Sequence, residues 1–341
     1  MGQSNKQKTK GRQTVEAHAL ITHQEVSTTF QGIYYVESVF VKKTVQGKDY
    51  TDFTLRDRSG SRSVKYWGVV DAAVKGSWVA IDANVELYLS NPSVIAKRVK
   101  LQAEAPADLS DYIPAYEDSE KNAARFDTIR AALAECENRA GGEIAGLMVD
   151  EVYKNQSFFA KFVVSPGSGR PHYGRQGGLL ANIVRVAEAC LNGADRYALN
   201  DQEKTVLLAS ALLCRIGAIE AFEFKDCMPV VTKKGILMGI NNLTMSRVMS
   251  ALRRATQALT KDGKQLDHET FNRVLHAVAS HDGTCVKPMT KEAMVLSAAF
   301  TTDAQIVDAL DFIEQDANKA EEFTAYDSNT RRQYYVGVRT A

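Results

Sequence analysis

The spacing of apolar residues changes once along the chain. Over residues 15–103 it has the period of strands, with runs rich in β-branched and aromatic residues. "GIYYVESVFVKK" (32–43) is the first such run, and "VQGKDY" (45–50) turns at Gly47. "TDFTLRDRSGSRSVKYW" (51–67) reads as a hairpin: Phe53 and Leu55 alternate on one arm, Val64 and Tyr66 on the other, around Asp57–Gly60. "DAAVKG" (71–76) is a short helical link, and residues 77–102 supply two more strands around Asn91-Pro92. Five strands with a short helix before the fourth predict a five-stranded barrel of the OB type.

Residues 104–119 carry Pro106, Pro114 and a cluster of acidic side chains, and are expected to be a linker. Beyond it apolar residues recur at i, i+3 and i+4. Helices are predicted over 122–138, 177–194, 201–222, 239–259, 267–281 and 290–317, with Asp201 and Asp267 as caps. The expected fold class is therefore a multidomain α+β chain, an OB-type barrel followed by an all-α domain over 120–325 and a tail over 326–341. Residues 1–14, with Lys6, Lys8, Lys10 and Arg12, read as a disordered basic tail.

Composition narrows this little. The start of the chain lacks the apolar core of a secretory signal, and no run of 18 apolar residues offers a membrane span. The five cysteines are scattered without a paired motif, which suits reduced thiols in a cytoplasmic protein. Charge is uneven: residues 1–105 hold 15 lysines and arginines against ten acidic residues, and the remainder 27 against 31. A basic first domain suits a partner bearing phosphates.

An OB barrel takes a single strand across its second and third strands, using aromatic faces for bases and cations for phosphates. Phe53, Tyr66 and Trp67 are the stacking candidates, and Lys48, Arg56, Arg58, Arg62, Lys65 and Lys97 the phosphate candidates. The alternative places the aromatics in the core and the charges on an ordinary solvated face. The expected partner is single-stranded RNA or DNA.

Taken together, "GKDYTDFTLRDRSGSRSVKYW", "PHYGRQGGLLANIVRVAEAC", "LLASALLCRIGAIEAF", "TKKGILMGINNL", "VLHAVASHDG" and "FTAYDSNTRRQYYVG" resemble, in order, segments of the YhaM-type 3′–5′ exoribonucleases. That resemblance covers about residues 30–335. It implies an OB domain followed by an HD-type metal phosphohydrolase domain, and it places the metal ligands residue by residue. The first histidine falls on Asn182, the His-Asp pair on Cys214-Arg215 and the following lysine on Ala218. A further histidine falls on Ile240, a His-His pair on His281-Asp282, and the last aspartate near Phe300, with Asp303 one turn on.

Most of these residues cannot replace the ligands. Two divalent ions need several carboxylates and imidazoles, whereas Asn182 offers a neutral carbonyl and Ile240 nothing. Arg215 is permanently protonated and repels cations. Cys214 needs histidine or cysteine neighbours to hold zinc. The expectation is a pseudoenzyme with no cofactor: a nucleic-acid-binding protein on a degenerate HD scaffold. One alternative is a rebuilt site using His281, Asp282, Asp303 and Cys214 with manganese or magnesium, acting as an exonuclease. Another is an interaction subunit, or a homo-oligomer, that binds its partner through Arg331, Arg332, Tyr334 and Tyr335. His281 also reads as a helix end before Gly283, and His276 as a boundary histidine.

The loop "SPGSGRPHYGRQGG" offers Arg170, His172, Tyr173 and Arg175 for a phosphate, or is simply a mobile loop. Arg215 joins Arg175, Lys225, Lys233 and Lys234 as an anion-pocket candidate, or pairs internally with Glu220 or Glu223.

Overall fold

The structure is a computed structural model and describes residues 18–337 apart from 89–90, 117, 170–172, 226, 316–321 and 329. The expected basic tail over 1–14 lies outside the described residues. The chain divides into two compact units, Met1–Pro114 and Ala115–Ala341.

The first unit is a closed barrel of β1 (Thr29–Lys43), β2 (Asp49–Asp57), β3 (Gly60–Tyr66), β4 (Trp78–Tyr88) and β5 (Asn91–Gln102), in the order β1-β2-β3-β5-β4. All neighbours are antiparallel except β3 and β5. The link before β4 is a single 3-10 turn, Ala72–Val74. Strict alternation on β2 sends Thr51, Phe53, Leu55 and Asp57 inward.

Asp57 is a fully buried carboxylate, and its bonds explain why it is tolerated there. It accepts from the Ile21 amide at 2.6 Å, the His18 ring at 3.1 Å, and the Ser59 amide and hydroxyl at 2.8 and 2.5 Å. These bonds draw residues 18–23 against β2. Arg62 locks the same segment by donating to the carbonyls of Ile21 and Gln24 at 3.1 and 2.7 Å. Tyr112, from the expected linker, is buried edge-on to Trp78 at 4.7 Å, so that stretch is part of the first unit.

The second unit contains α1 (Ser119–Ala140), α2 (Ile144–Tyr153), α3 (Gln156–Val164), α4 (Gly178–Arg196), α5 (Asp201–Leu213), α6 (Ala218–Ala221), α7 (Lys233–Lys261), α8 (His268–Ser280) and α9 (Lys291–Gln315). Every side chain from Thr205 to Leu213 on α5 is buried, and α1, α2, α4, α8 and α9 pack around it. Such a helix is stable only when enclosed.

Four expectations change here. The helix expected over 201–222 stops at Leu213. The chain turns at Gly217, where a Cβ would sit 2.4 Å from the Thr244 amide, so this crossing requires glycine. Residues 222–231 form a hairpin, β6 (Phe222–Lys225) paired with β7 (Met228–Val231). Helix α7 starts at Lys233 instead of 239, with a kink at Gly239 (φ 72°). The cap of α5 is Asn200, not Asp201, in a reciprocal capping box with Glu203. Asp267 does cap α8, accepting from Thr270 at 3.0 Å. The tail folds back on itself, with Phe323 bridged to Tyr335 and Asp327 to Arg332.

Replacing Asp57 by alanine strands the Ile21 amide and releases the 18–23 segment. The expected cost is about 1–3 kcal/mol of stability. Both tryptophans of the chain, Trp67 and Trp78, lie in this unit, so urea unfolding followed by tryptophan fluorescence reads it.

Candidate nucleic-acid interface and the polar cluster of the helical unit

Two regions gather the candidate residues, one in each unit. In the barrel the candidates lie among the outward positions of a closed sheet. Phe53, a stacking candidate, points the other way and is fully buried in the core. Tyr66 is half-buried and packs against that core. Parity explains both: they share a strand face with Leu55 and Val64 respectively. Trp67 lies beyond Tyr66, is 59% exposed, and stands against Tyr50 with ring centres 5.4 Å apart. Tyr88, 62% exposed, carries the Lys65 ammonium 5.0 Å above its ring. Phe40 on β1 is also exposed and is paired with Asp52 across the ladder. The aromatics found on the barrel's outside therefore include Tyr50, Trp67, Tyr88 and Phe40. Tyr50 is legible from parity alone, since residues 51, 53, 55 and 57 take the inner face of β2.

The cations of this unit divide by what already engages them. Arg62 is committed to main-chain carbonyls, Arg56 lies 3.5 Å from Glu37, and Arg58 lies 3.5 Å from Asp111. These three are structural or paired. Lys65, Lys48 and Lys97 have no ion pair among the described residues. Lys48 follows the exposed β1–β2 turn, and Lys97 sits at the bulge where the β4–β5 register shifts between Asp82 and Ala83. Asp52 puts a negative charge among these outward positions, held by Lys42 at 2.5 Å and by the Ser63 hydroxyl at 2.8 Å.

In the helical unit the residues singled out by the resemblance do meet. Asp303 on α9 accepts from the Asn182 amide at 3.1 Å and the Tyr173 hydroxyl at 2.5 Å, with Arg185 at 3.5 Å. Burial and the neighbouring Asp303 charge push the Tyr173 hydroxyl well above its ordinary range. Arg215 donates to the Gly167 carbonyl at 2.8 Å, and its guanidinium lies 5.5 Å from the centre of the Phe300 ring. Phe300 also meets His281 edge-on at 4.8 Å. Asp282 is held by Asn241 at 2.7 Å and by the Thr284 amide and hydroxyl at 3.0 and 2.8 Å. Ile240 packs on the core.

The expected carboxylate partner of Arg215 is not Glu220. That residue pairs with Lys234 and, at 2.6 Å, with Arg247. Arg215 forms no ion pair among the described residues, and a main-chain carbonyl and an aromatic face take its place. Arg175 pairs with Glu314 at 3.7 Å, so it is not an unengaged phosphate ligand. Arg170 and His172 lie outside the described residues.

The titratable groups are tuned by burial. The Cys214 thiol is pushed up to about 12 by burial, which the Arg215 charge only partly offsets, so it is a neutral thiol at neutral pH. His281 is buried, and burial followed by Arg215 holds its pKa below the ordinary histidine value. Its Nδ1 contacts the Val278 carbonyl at 2.8 Å. A carbonyl only accepts, so Nδ1 bears the proton and Nε2 is an unprotonated acceptor. Nε2, Asn182 Oδ1 and Arg215 Nε are buried without hydrogen-bond partners among the described residues. No cluster of three or more His, Cys, Asp or Glu side chains arranged for a metal occurs among the described residues, and none of their helices is long and apolar enough to cross a membrane.

No family model matches the chain, and no curated protein matches it. Among solved structures it is similar to the second OB-fold domain of replication protein A from Methanococcus maripaludis. That match is 12% identical over 26% of this chain and 99% of the other, with a TM-score of 0.20. The fold class stands on the barrel's own strand order: an OB-type barrel followed by a helical unit.

Because the folded state keeps His281 neutral while the unfolded chain protonates near the ordinary value, acid favours unfolding. The stability held above about pH 6.5 is lost as pH falls toward the lowered pKa, by at most about 1.4 kcal/mol per pH unit for one proton. Thermal melts between pH 7.5 and 5 are expected to show this slope, and a His281→Gln variant a shallower one.

Proposed function

We propose that this chain binds single-stranded nucleic acid on the outer face of its barrel, and that its helical unit is an HD-type scaffold without metal-dependent hydrolysis. The observation that carries the first part is the pairing of exposed aromatics with a lysine that has no ion pair among the described residues. Trp67 against Tyr50 and Tyr88 under Lys65 give two flat surfaces beside a positive charge. Bases stack on such surfaces irrespective of sequence, while phosphates follow the lysines. OB barrels use this same side, their second and third strands.

The second part rests on the fate of the family's ligand positions. Asp303 has spent its charge on Tyr173, Asn182 and Arg185. Arg215 puts a fixed positive charge beside them, and Cys214 is held as a neutral thiol. A pair of divalent ions would meet one carboxylate committed to Tyr173 and Asn182, a second, Asp282, held by Asn241 and Thr284, a single imidazole at His281, a cation and an amide. Such a site disfavours the metal-bound state.

Titration of labelled single-stranded RNA and DNA with the full chain at two salt concentrations tests the binding. Trp67→Ala is expected to cost roughly 1–3 kcal/mol of binding. Lys65→Gln is expected to weaken binding to all sequences alike and to flatten the salt dependence. Failure to bind either polymer at low salt overturns the first part. Degradation of the strand by purified chain with manganese or magnesium overturns the second.

A further inference from the structure

The second unit contains a groove of about 590 Å³ that is separate from the Asp303–Arg215 cluster. Glu151, Lys154, Asn155, Phe158, Arg247 and Arg254 are among the residues that line it, with Glu220 at its edge. A volume of this size is ordinary for a small-molecule site. Its charge pattern is not that of a closed salt-bridge network.

Two carboxylates there serve four cations. Glu151 takes Lys154 on one oxygen and Arg254 on the other at 2.8 Å, and its main-chain carbonyl also accepts from Arg254 at 3.0 Å. Glu220 takes Lys234 on one oxygen and Arg247 on the other at 2.6 Å. Lys234 does not line the groove, so with both carboxylates ionised the lining itself carries one positive charge in excess, with Lys234 adding another beside Glu220. Burial works against both carboxylates. Their cations outweigh it and hold both below the usual carboxylate range, so the count holds at neutral pH.

Arg247 is the centre of the arrangement. Its guanidinium lies 4.8 Å from the centre of the Phe158 ring, which fixes its plane. One terminal nitrogen is on Glu220, while Nε is buried and has no partner among the described residues. A buried donor without an acceptor is costly, so Arg247 is held in the groove wall with hydrogen-bonding capacity unspent. Two hydroxyls complete the wall. Ser246 and Ser250 lie one turn apart on α7, with Arg247 and Arg254 on the same face by helical spacing. The Ser250 hydroxyl donates to the Ser246 carbonyl at 2.9 Å and can rotate toward a better acceptor.

A cation is the wrong occupant for a groove with a surplus of positive charge, and a neutral ligand would leave that surplus unanswered. An anionic group with several acceptor oxygens matches it, as guanidinium groups and hydroxyls match phosphate oxygens. We infer that this groove of the helical unit is a binding site for a phosphate monoester, seated against Arg247 with Ser246, Ser250 and Arg254 around it. The monoester is carried either by a free nucleotide or by the terminal phosphate of a strand. The inference does not rest on the barrel reading.

The test uses the full chain and isothermal titration at constant ionic strength. The probes are inorganic phosphate, adenosine 5′-monophosphate, and a short RNA with or without a terminal phosphate. Phosphate and the nucleotide are expected to bind where chloride at equal ionic strength gives no heat. Arg247→Gln is expected to weaken binding at least tenfold. Because Arg247 also supports packing, Ser250→Glu serves as the second variant: it sits on an exposed turn and places a carboxylate where the anion would lie. It too is expected to weaken binding at least tenfold, with an unchanged circular dichroism melt. Trp67→Ala is expected to leave phosphate binding intact, which separates this site from the barrel. Tighter binding of the nucleotide than of the phosphorylated strand identifies a free nucleotide as ligand, and the reverse identifies a strand end. No heat beyond that of chloride, or full binding by Ser250→Glu, overturns the inference.

Discussion

The helical unit depends on one constraint: α5 has no polar side from Thr205 to Leu213, so water must be excluded from all of it. Five helices close around it to do so. That enclosure decides where the chemistry lies. It brings α4, with Asn182, and α9, with Phe300 and Asp303, against the same helix whose end delivers Cys214 and Arg215. It also brings up α8, whose end carries His281. The polar cluster is a by-product of where five helices must go to bury a sixth. Polar residues in that position have to find partners within the protein or from a ligand, because none can reach bulk water cheaply.

The barrel divides its charges between two kinds of side chain. In the barrel, arginines are consumed in construction: Arg62 holds a neighbouring segment by its carbonyls, and Arg56 and Arg58 face carboxylates. Lysines remain on the outside. This division suits the chemistry of each group, since guanidinium tolerates dehydration and directs several hydrogen bonds, while ammonium prefers to stay hydrated. A count of basic residues therefore overstates the charge available to a partner, and the face that remains is defined as much by aromatic rings as by cations.

The barrel was largely legible in the sequence because alternation has a period of two and a closed sheet has little freedom once its strands are set. Phe53 shows the limit. Its residue type suits stacking, yet its register with Leu55 already commits it to the interior, and parity is the stronger signal. Helices α2 and α3 and the β6–β7 hairpin are short, and a short apolar run does not distinguish a buried helix from a strand. The early end of α5 was hidden for another reason. Apolar residues continue through 216–222, and only the close approach of α7 at Gly217 forces the turn. The partners of Arg215 could not be read either. A carbonyl and a phenyl ring leave no mark in a search for opposite charge.

The hydrogen bonds around Asp303 have a consequence for substitution. Each member now holds another in place, so substitutions there are not independent. A histidine at 182 would remove the amide that Asp303 accepts from, while Arg215 would still repel any ion that arrived. An aspartate at 215 would remove the guanidinium from Phe300 and leave a buried carboxylate without a counter-charge. Each single substitution of this kind therefore costs stability before any compensating change can offset it. The cluster is a coupled unit: its charges are satisfied internally, and a change at one position passes its cost to the others.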